Sequence, residues 1–136
     1  MRMPILRLSA DILIVPLNVE VTDEDVIGFQ SDVTAKAAEM EAKGVVVDVS
    51  ALDLIDSYMA RVLNDTAMML RLLGAEVVIC GMQPAVALTL VEMGRNLLGT
   101  ATAFNLEAAL ERLKALMGAG EVAGHRQSAR GSRDRA

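Results

Sequence analysis

Three carboxylates, Asp48, Asp53 and Asp56, follow directly on the β-branched run Val45-Val46-Val47. The end of a strand in an open α/β sheet is where such folds build their sites. Carboxylate oxygens suit Mg²⁺, so a small Mg²⁺-dependent phosphohydrolase is one reading of the cluster. That chemistry also needs a cation beside the transferred group and a cradle of backbone N–H groups. No Lys falls between Lys43 and Lys114, and Gly81-Met82-Gln83-Pro84 has a single glycine where a phosphate nest draws on several successive amides. The plainer reading, in which Asp48 ends a strand while Asp53 and Asp56 make turn and cap hydrogen bonds, is favoured. A Ser/His/Asp hydrolase lacks its base, because His125, the sole histidine, stands in a Gly-, Ser- and Arg-rich stretch with no partner pattern around it. Cys80 is the only cysteine, so the chain forms no internal disulfide and no cysteine metal site, and its place at the end of an apolar run suits a small buried hydrophobe.

Asp56-Ser57 is the remaining candidate. Apolar residues resume at helical spacing just after it, which puts the Ser57 hydroxyl at the positive end of a helix and near the surface. A hydroxyl there can cap the helix or accept a phosphate, and spacing alone leaves both roles open.

The elements that position these residues are legible from periodicity. Ile5 to Leu8 and Ile12 to Pro16 are two short apolar segments that suit a hairpin. Thr22 is an N-cap candidate ahead of Asp23-Glu24-Asp25, and Val26, Phe29, Val33, Ala37 and Met40 recur at helical spacing until Lys43-Gly44 is expected to stop the helix with a cation and a C′ glycine. Val45 to Val49 reads as a strand buried on both faces, as in a parallel sheet. Met59, Val62, Leu63, Leu70 and Leu73 mark the buried side of the next helix, closed by Gly74. Glu76 to Cys80 is the following strand, Pro84 suits the first helical position, and Ala85 to Met93 forms a short helix ended by Gly94. Thr100 to Phe104 is a weak last strand, and Leu106, Ala109, Leu110, Leu113 and Met117 define a final amphipathic helix. The order β-β-α-β-α-β-α-β-α calls for an α/β fold, a mixed, mostly parallel sheet of about five strands flanked by about four helices.

Length and charge narrow the classes further. The chain has 136 residues, enough for one domain, and is 53% hydrophobic with a mean hydropathy of +0.39. With nine Met and only Phe29, Phe104 and Tyr58 as aromatics, its core must be aliphatic and adaptable. The net charge is −5, and Arg126, Arg130, Arg133 and Arg135 against Glu121 and Asp134 make the stretch from Gly118 onward +2, which leaves −7 for residues 1–117. So acidic a body is a poor nucleic-acid binder. Arg7, Ser9 and Asp11 interrupt the first apolar residues, and Arg71, Glu76 and Glu92 break the later ones, so neither a signal peptide nor a membrane span is expected, and a reducing cytoplasm suits the lone thiol. Residues 1–117 are expected to form the domain and 118–136 a disordered tail.

Two stretches carry a family resemblance. Val-Val-Val-Asp-Val-Ser-Ala-Leu-Asp-Leu-Ile-Asp-Ser-Tyr at 45–58 and Gly-Ala-Glu-Val-Val-Ile-Cys-Gly-Met-Gln-Pro-Ala-Val-Ala at 74–87 resemble the STAS family, which includes the anti-anti-sigma factors. The resemblance runs from about Ile5 to Met117. Gly-Met-Gln-Pro followed by Thr89-Leu90-Val91-Glu92-Met93-Gly94 is most similar to the short single-domain stressosome antagonist type. It implies a sheet flanked by helices, no catalysis by the domain and no cofactor. It also implies phosphorylation at the Asp-Ser step, here Ser57, by a partner serine kinase of the histidine-kinase-like ATPase fold, which is held captive until phosphorylation releases it. Co-assembly with larger sensor paralogues carrying the same domain, in homo- or hetero-oligomers, is implied as well, with Thr89 as a possible second phosphoacceptor. Free-standing anti-anti-sigma factors usually read Asp-Ser-Ser-Gly, whereas this chain reads Asp56-Ser57-Tyr58-Met59; a simple anti-anti-sigma factor is therefore the alternative rather than the leading reading.

The expected partner-binding set combines Asp53, Asp56 and Tyr58 around Ser57 with a face of the following helix. Side chains advance about 100° per residue, which sets Met68 and Leu72 opposite the buried side, together with Arg61, Asp65 and Arg71. Two large apolar residues on a charged face suggest a contact surface.

Overall fold

The computed structural model describes residues 4–17, 22–92 and 100–118. The tail beyond residue 118 and the Met93-Gly94 helix end lie outside the described residues.

Strands β1 (Leu6–Arg7) and β2 (Ile12–Pro16) form the opening hairpin, with Leu6 opposite Ile14. Helix α1 (Asp23–Met40) follows, then β3 (Gly44–Asp48), α2 (Ser57–Leu72), β4 (Glu76–Cys80), α3 (Pro84–Glu92) and β5 (Ala101–Ala103). A fourth helix, α4, covers 106–118. The five strands lie in the order β1-β2-β3-β4-β5, antiparallel only at β1–β2. This is the mixed, mostly parallel α/β sheet expected from the strand–helix alternation.

Thr22 does cap α1, and it forms a full capping box with Asp25. The Thr22 hydroxyl accepts from the Asp25 N–H at 3.1 Å, and the Asp25 carboxylate accepts from the Thr22 N–H at 3.1 Å. That backbone bond holds the Asp25 carboxyl below the usual carboxylate range.

The end of α1 differs from the expectation. Glu41, with φ 52° and ψ 48°, takes the left-handed position, and the Ala42 N–H closes onto the Ala37 carbonyl at 2.9 Å. Gly44 opens β3 instead, where a Cβ would sit 2.7 Å from Leu113 Cδ2, so glycine serves the packing of α4 there and not the helix stop. Lys43 and Gly44 donate their N–H groups to the Asp11 carbonyl at 2.8 and 3.1 Å, which joins β3 to the hairpin turn.

Side chains of β2, β3 and β4 alternate between two cores. Leu13, Val15, Val45, Val47, Val77 and Ile79 face α1, α2 and α3. Ile12, Ile14, Val46, Val78 and Cys80 face the other way, onto Ala109 and Leu113 of α4. A strand covered on both faces needs apolar residues at every position, which accounts for the uninterrupted Val run of β3. Within the first layer a buried Thr66 links the helices: it accepts from Gln30 Nε2 of α1 at 3.1 Å and donates to its own Val62 carbonyl.

Helix α2 buries Met59, Val62, Leu63 and Leu70 as its spacing predicts. Leu73 is a correction, being 50% exposed. It is the C-cap residue, past the last helical turn, so the helical angle no longer aims its side chain inward. Gly74 then turns the chain at φ 97°, as expected of a C-terminal glycine.

Candidate functional site

The stretch between β3 and α2 is anchored by buried residues three apart, beginning with Val49. Leu52 and Ile55 point into the core, while Asp53 and Leu54 are exposed. The Asp48 carboxylate accepts from the Ser50 N–H at 2.9 Å, and the Asp56 carboxylate caps α2 by accepting from the Met59 N–H at 2.7 Å. Two of the three clustered carboxylates are thus committed to turn and cap bonds. Among the described residues no group of three His, Cys, Asp or Glu side chains is placed to hold a metal ion.

With Asp56 as the cap, Ser57 is the first residue of α2. It is exposed at the positive end of that helix, and its hydroxyl makes no hydrogen bond within the described residues. Tyr58 and Arg61 are also exposed. Farther along the helix Met68 is 53% and Leu72 87% exposed, on the face that the spacing assigned to them. Ser57, Arg61, Met68 and Leu72 form one stripe, since steps of four, seven and four residues bring each side chain back to nearly the same angle.

A second loop supports the first. Gln83 Nε2 donates to the Ser50 carbonyl at 2.9 Å, and Gly81, at φ 75°, lies so close that a Cβ would sit 2.6 Å from Ser50 Cβ and 3.0 Å from Ser50 Cα. The Gly-Met-Gln-Pro stretch is therefore a brace for the loop that presents Ser57. Spacing shows it only as a turn, because its contact lies 31 residues away at Ser50. Gly81→Ala combines left-handed backbone strain with a backbone clash, and it is expected to destabilise the fold by about 2–3 kcal/mol in urea titrations. Thr89, on α3, is half-buried, and its hydroxyl donates to the Ala85 carbonyl at 3.1 Å.

Two exposed apolar residues near this end of the sheet escaped the sequence reading. Leu54 is 72% exposed and Phe104, just after β5, is 94% exposed. Phe104 borders an open groove with Met82, Thr102 and Ala103. Its position between the last strand residue and Asn105, whose side chain caps α4 by accepting from the Ala108 N–H, was the available signal.

Cys80 is fully buried, and burial, with the Asp48 charge adding to it, pushes its thiol up from 9.0 to about 11. Between those two values an unfolded chain ionises its thiol while the folded one stays protonated, so this group favours unfolding increasingly as pH rises through that window. Native protein at pH 7 is expected to resist iodoacetamide, with stoichiometric labelling only after denaturation. Rapid labelling without denaturant would contradict the burial.

The family follows from the match of the STAS domain profile to residues 3–112. This chain belongs to the STAS domain family. The matched span takes in β1 to β5, both loops at the C-terminal end of the sheet and the whole of α2. Among solved structures the STAS chain is similar to a serine-to-glutamate variant of RsbS from Moorella thermoacetica, at 40% identity and a TM-score of 0.77, over 85% of this chain and 97% of that one. It is also similar, at 41% identity and a TM-score of 0.74, to a chain from a structure described as the molecular architecture of the stressosome, a signal integration and transduction hub, over 83% of this chain and 97% of that one. The anti-sigma factor antagonist SpoIIAA in its unphosphorylated form shares the fold at 12% identity and a TM-score of 0.69, over 83% of this chain and 96% of that one. No curated protein matches the chain. Among the described residues no helix is long and apolar enough to cross a membrane.

Proposed function

We propose that this STAS protein is a non-catalytic, phosphorylation-regulated component of a stressosome-type complex. It sequesters a serine kinase of the histidine-kinase-like ATPase fold and releases it when Ser57 is phosphorylated. The observation that carries the reading is Ser57 itself: an exposed hydroxyl at the first position of α2, beside a carboxylate that already caps the helix at the Met59 N–H, in a chain 40% identical to an RsbS variant over 97% of that chain. Because Asp56 supplies the capping bond, the Ser57 hydroxyl is left to a partner enzyme. The relative's solved form, with glutamate in place of a serine, fits a role in which negative charge at a serine matters.

In this reading Asp53, Asp56 and Tyr58 surround the phosphoacceptor, while Arg61, Met68 and Leu72 extend the contact surface along α2. Thr89 is a second phosphoacceptor whose hydroxyl must first leave the Ala85 carbonyl. The protein acts in the cytoplasm and uses no cofactor, and residues 118–136 are dispensable for folding and partner binding. A stressosome component assembles with paralogues that carry the same domain, whereas a free-standing anti-anti-sigma factor binds one anti-sigma kinase. Size-exclusion chromatography of the chain with its sensor paralogue separates the two. A large co-assembly is the expected result, and a small complex formed only with the kinase would favour the alternative.

A further inference from the structure

Leu54, Ser57 and Phe104 all stand at the C-terminal end of the parallel strands. The register sets Asp48 of β3, Cys80 of β4 and Ala103 of β5 level with one another. Neighbouring strands lie about 4.8 Å apart, so the ends of β3 and β5 are about 10 Å apart. The loops that leave this row stay in contact: Ser50 lies against Gly81, and the Gly81 N–H donates to the Ala103 carbonyl at 3.2 Å. Leu54 and Phe104 project from the loops at either side of the row, 72% and 94% exposed. Leu52 and Ile55 are buried on either side of Leu54 and hold it outward. Between the two projecting residues Met82 packs on the core that α1, α2 and α3 cover, and with Thr102, Ala103 and Phe104 it borders an open groove of about 380 Å³.

We infer that Leu54 and Phe104 are apolar anchors for the serine kinase, which docks over this end of the sheet; the inference rests on the proposed phosphorylation of Ser57. Three residues span at most about 11 Å, so Leu54 stands within that distance of Ser57. An enzyme that brings a phosphoryl group to the Ser57 oxygen therefore covers Leu54. A stable contact buries about 800 Å² on each partner, a patch about 30 Å across, which extends over the 10 Å or so between the ends of β3 and β5. Charge does not supply the attraction here. Every charged side chain described on the loops and first helical turns at this end is a carboxylate, from Asp23 and Glu24 of α1 to Asp53 and Asp56 before α2 and Glu107 of α4. The phosphates of the ATP that the kinase carries are anionic as well, so the attraction at this end falls to apolar burial. A phosphate on Ser57 then sets a further anion against the contact, which fits release.

Steady-state phosphorylation of the full chain by its cognate kinase and ATP, with the modified residue mapped by mass spectrometry, tests the docking. Leu54→Ser and Phe104→Ser should each raise KM at least about fivefold, and the double variant at least about twentyfold. Turnover at saturation should stay within about twofold of wild type, because neither side chain touches the reacting atoms. Phe104→Leu keeps an apolar side chain and should raise KM less than Phe104→Ser does. Both residues are exposed, so melting temperatures should stay near wild type; should Leu54→Ser melt early, Phe104→Ser carries the test. A wild-type KM in the double variant, or a loss confined to kcat, would overturn the inference. So would variants that bind the kinase normally but no longer assemble with copies or paralogues of the chain, since the patch would then belong to that contact. A wild-type chain that gains no phosphate on Ser57 removes the underlying reading and the inference together, an outcome seen without any variant.

Discussion

Phosphorylated at Ser57, the chain is expected to melt within a few degrees of the unmodified protein and to bind its kinase at least tenfold more weakly, a change of about 1.4 kcal/mol. The fold survives because the electrostatic effects at the head of α2 nearly offset one another. A phosphate at a helix start gains about 0.3–1 kcal/mol from the helix dipole. Against it, a charge of about −2 placed about 6 Å from one carboxylate, as Asp53 or Asp56 would present, costs on the order of 1–1.5 kcal/mol in a water-like dielectric before screening. Arg61, one turn along the same stripe, offsets a further few tenths of a kcal/mol. The remainder is small beside a typical total stability of about 5–15 kcal/mol. An interface responds differently, since an added dianion must be desolvated or matched there, and an opposing like charge can cost several kcal/mol. Ser57→Asp supplies one charge and two oxygens, so it should weaken binding only in part. Differential scanning calorimetry and isothermal titration with the kinase, before and after phosphorylation, check both halves. A large drop in melting temperature, or equal kinase affinity in the two states, would contradict the account.

Leu113→Ala is expected to cost about 3–4 kcal/mol of folding stability, whereas Leu72→Ala should change it by less than about 0.5 kcal/mol. Leu113, on the inner side of α4, is fully buried and packs where Gly44 leaves no side chain, in one cluster with Ile12, Ile14, Val46 and Val78. Truncating it removes buried methyl groups and leaves a cavity that the strand backbone at Gly44 cannot fill. Leu72 is 87% exposed, so the same truncation removes little buried surface. Urea denaturation of the two variants measures the contrast. Similar losses would mean that α4 does not close the second layer of the core.

Those two leucines also show where sequence reasoning reaches and where it stops. Periodicity placed both on the correct side of their helices, because helical geometry acts over four residues. It placed Thr22 as a cap and the Val run of β3 in the interior for the same local reason. Gly44 was misread as a helix stop because the residue that requires glycine there, Leu113, is distant in sequence. The real stop is Glu41, a residue whose type gives no hint of a left-handed conformation. Around the candidate site, Asp56 and Ser57 were legible as the start of a helix, but which of them caps it depends on the carboxylate reaching the Met59 N–H. The brace from Gly81 and Gln83 onto Ser50, and the exposure of Leu54 and Phe104, arise from strand register and loop packing, which leave no periodic trace.

Mass spectrometric mapping after incubation with the cognate kinase and ATP tests the central claim most directly, with wild type and Ser57→Ala treated side by side. A single main phosphate on Ser57 in the wild type, absent from the variant, is the expected result. Labelling that persists undiminished in Ser57→Ala, on Thr89 or Tyr58, would place the switch elsewhere and contradict the account.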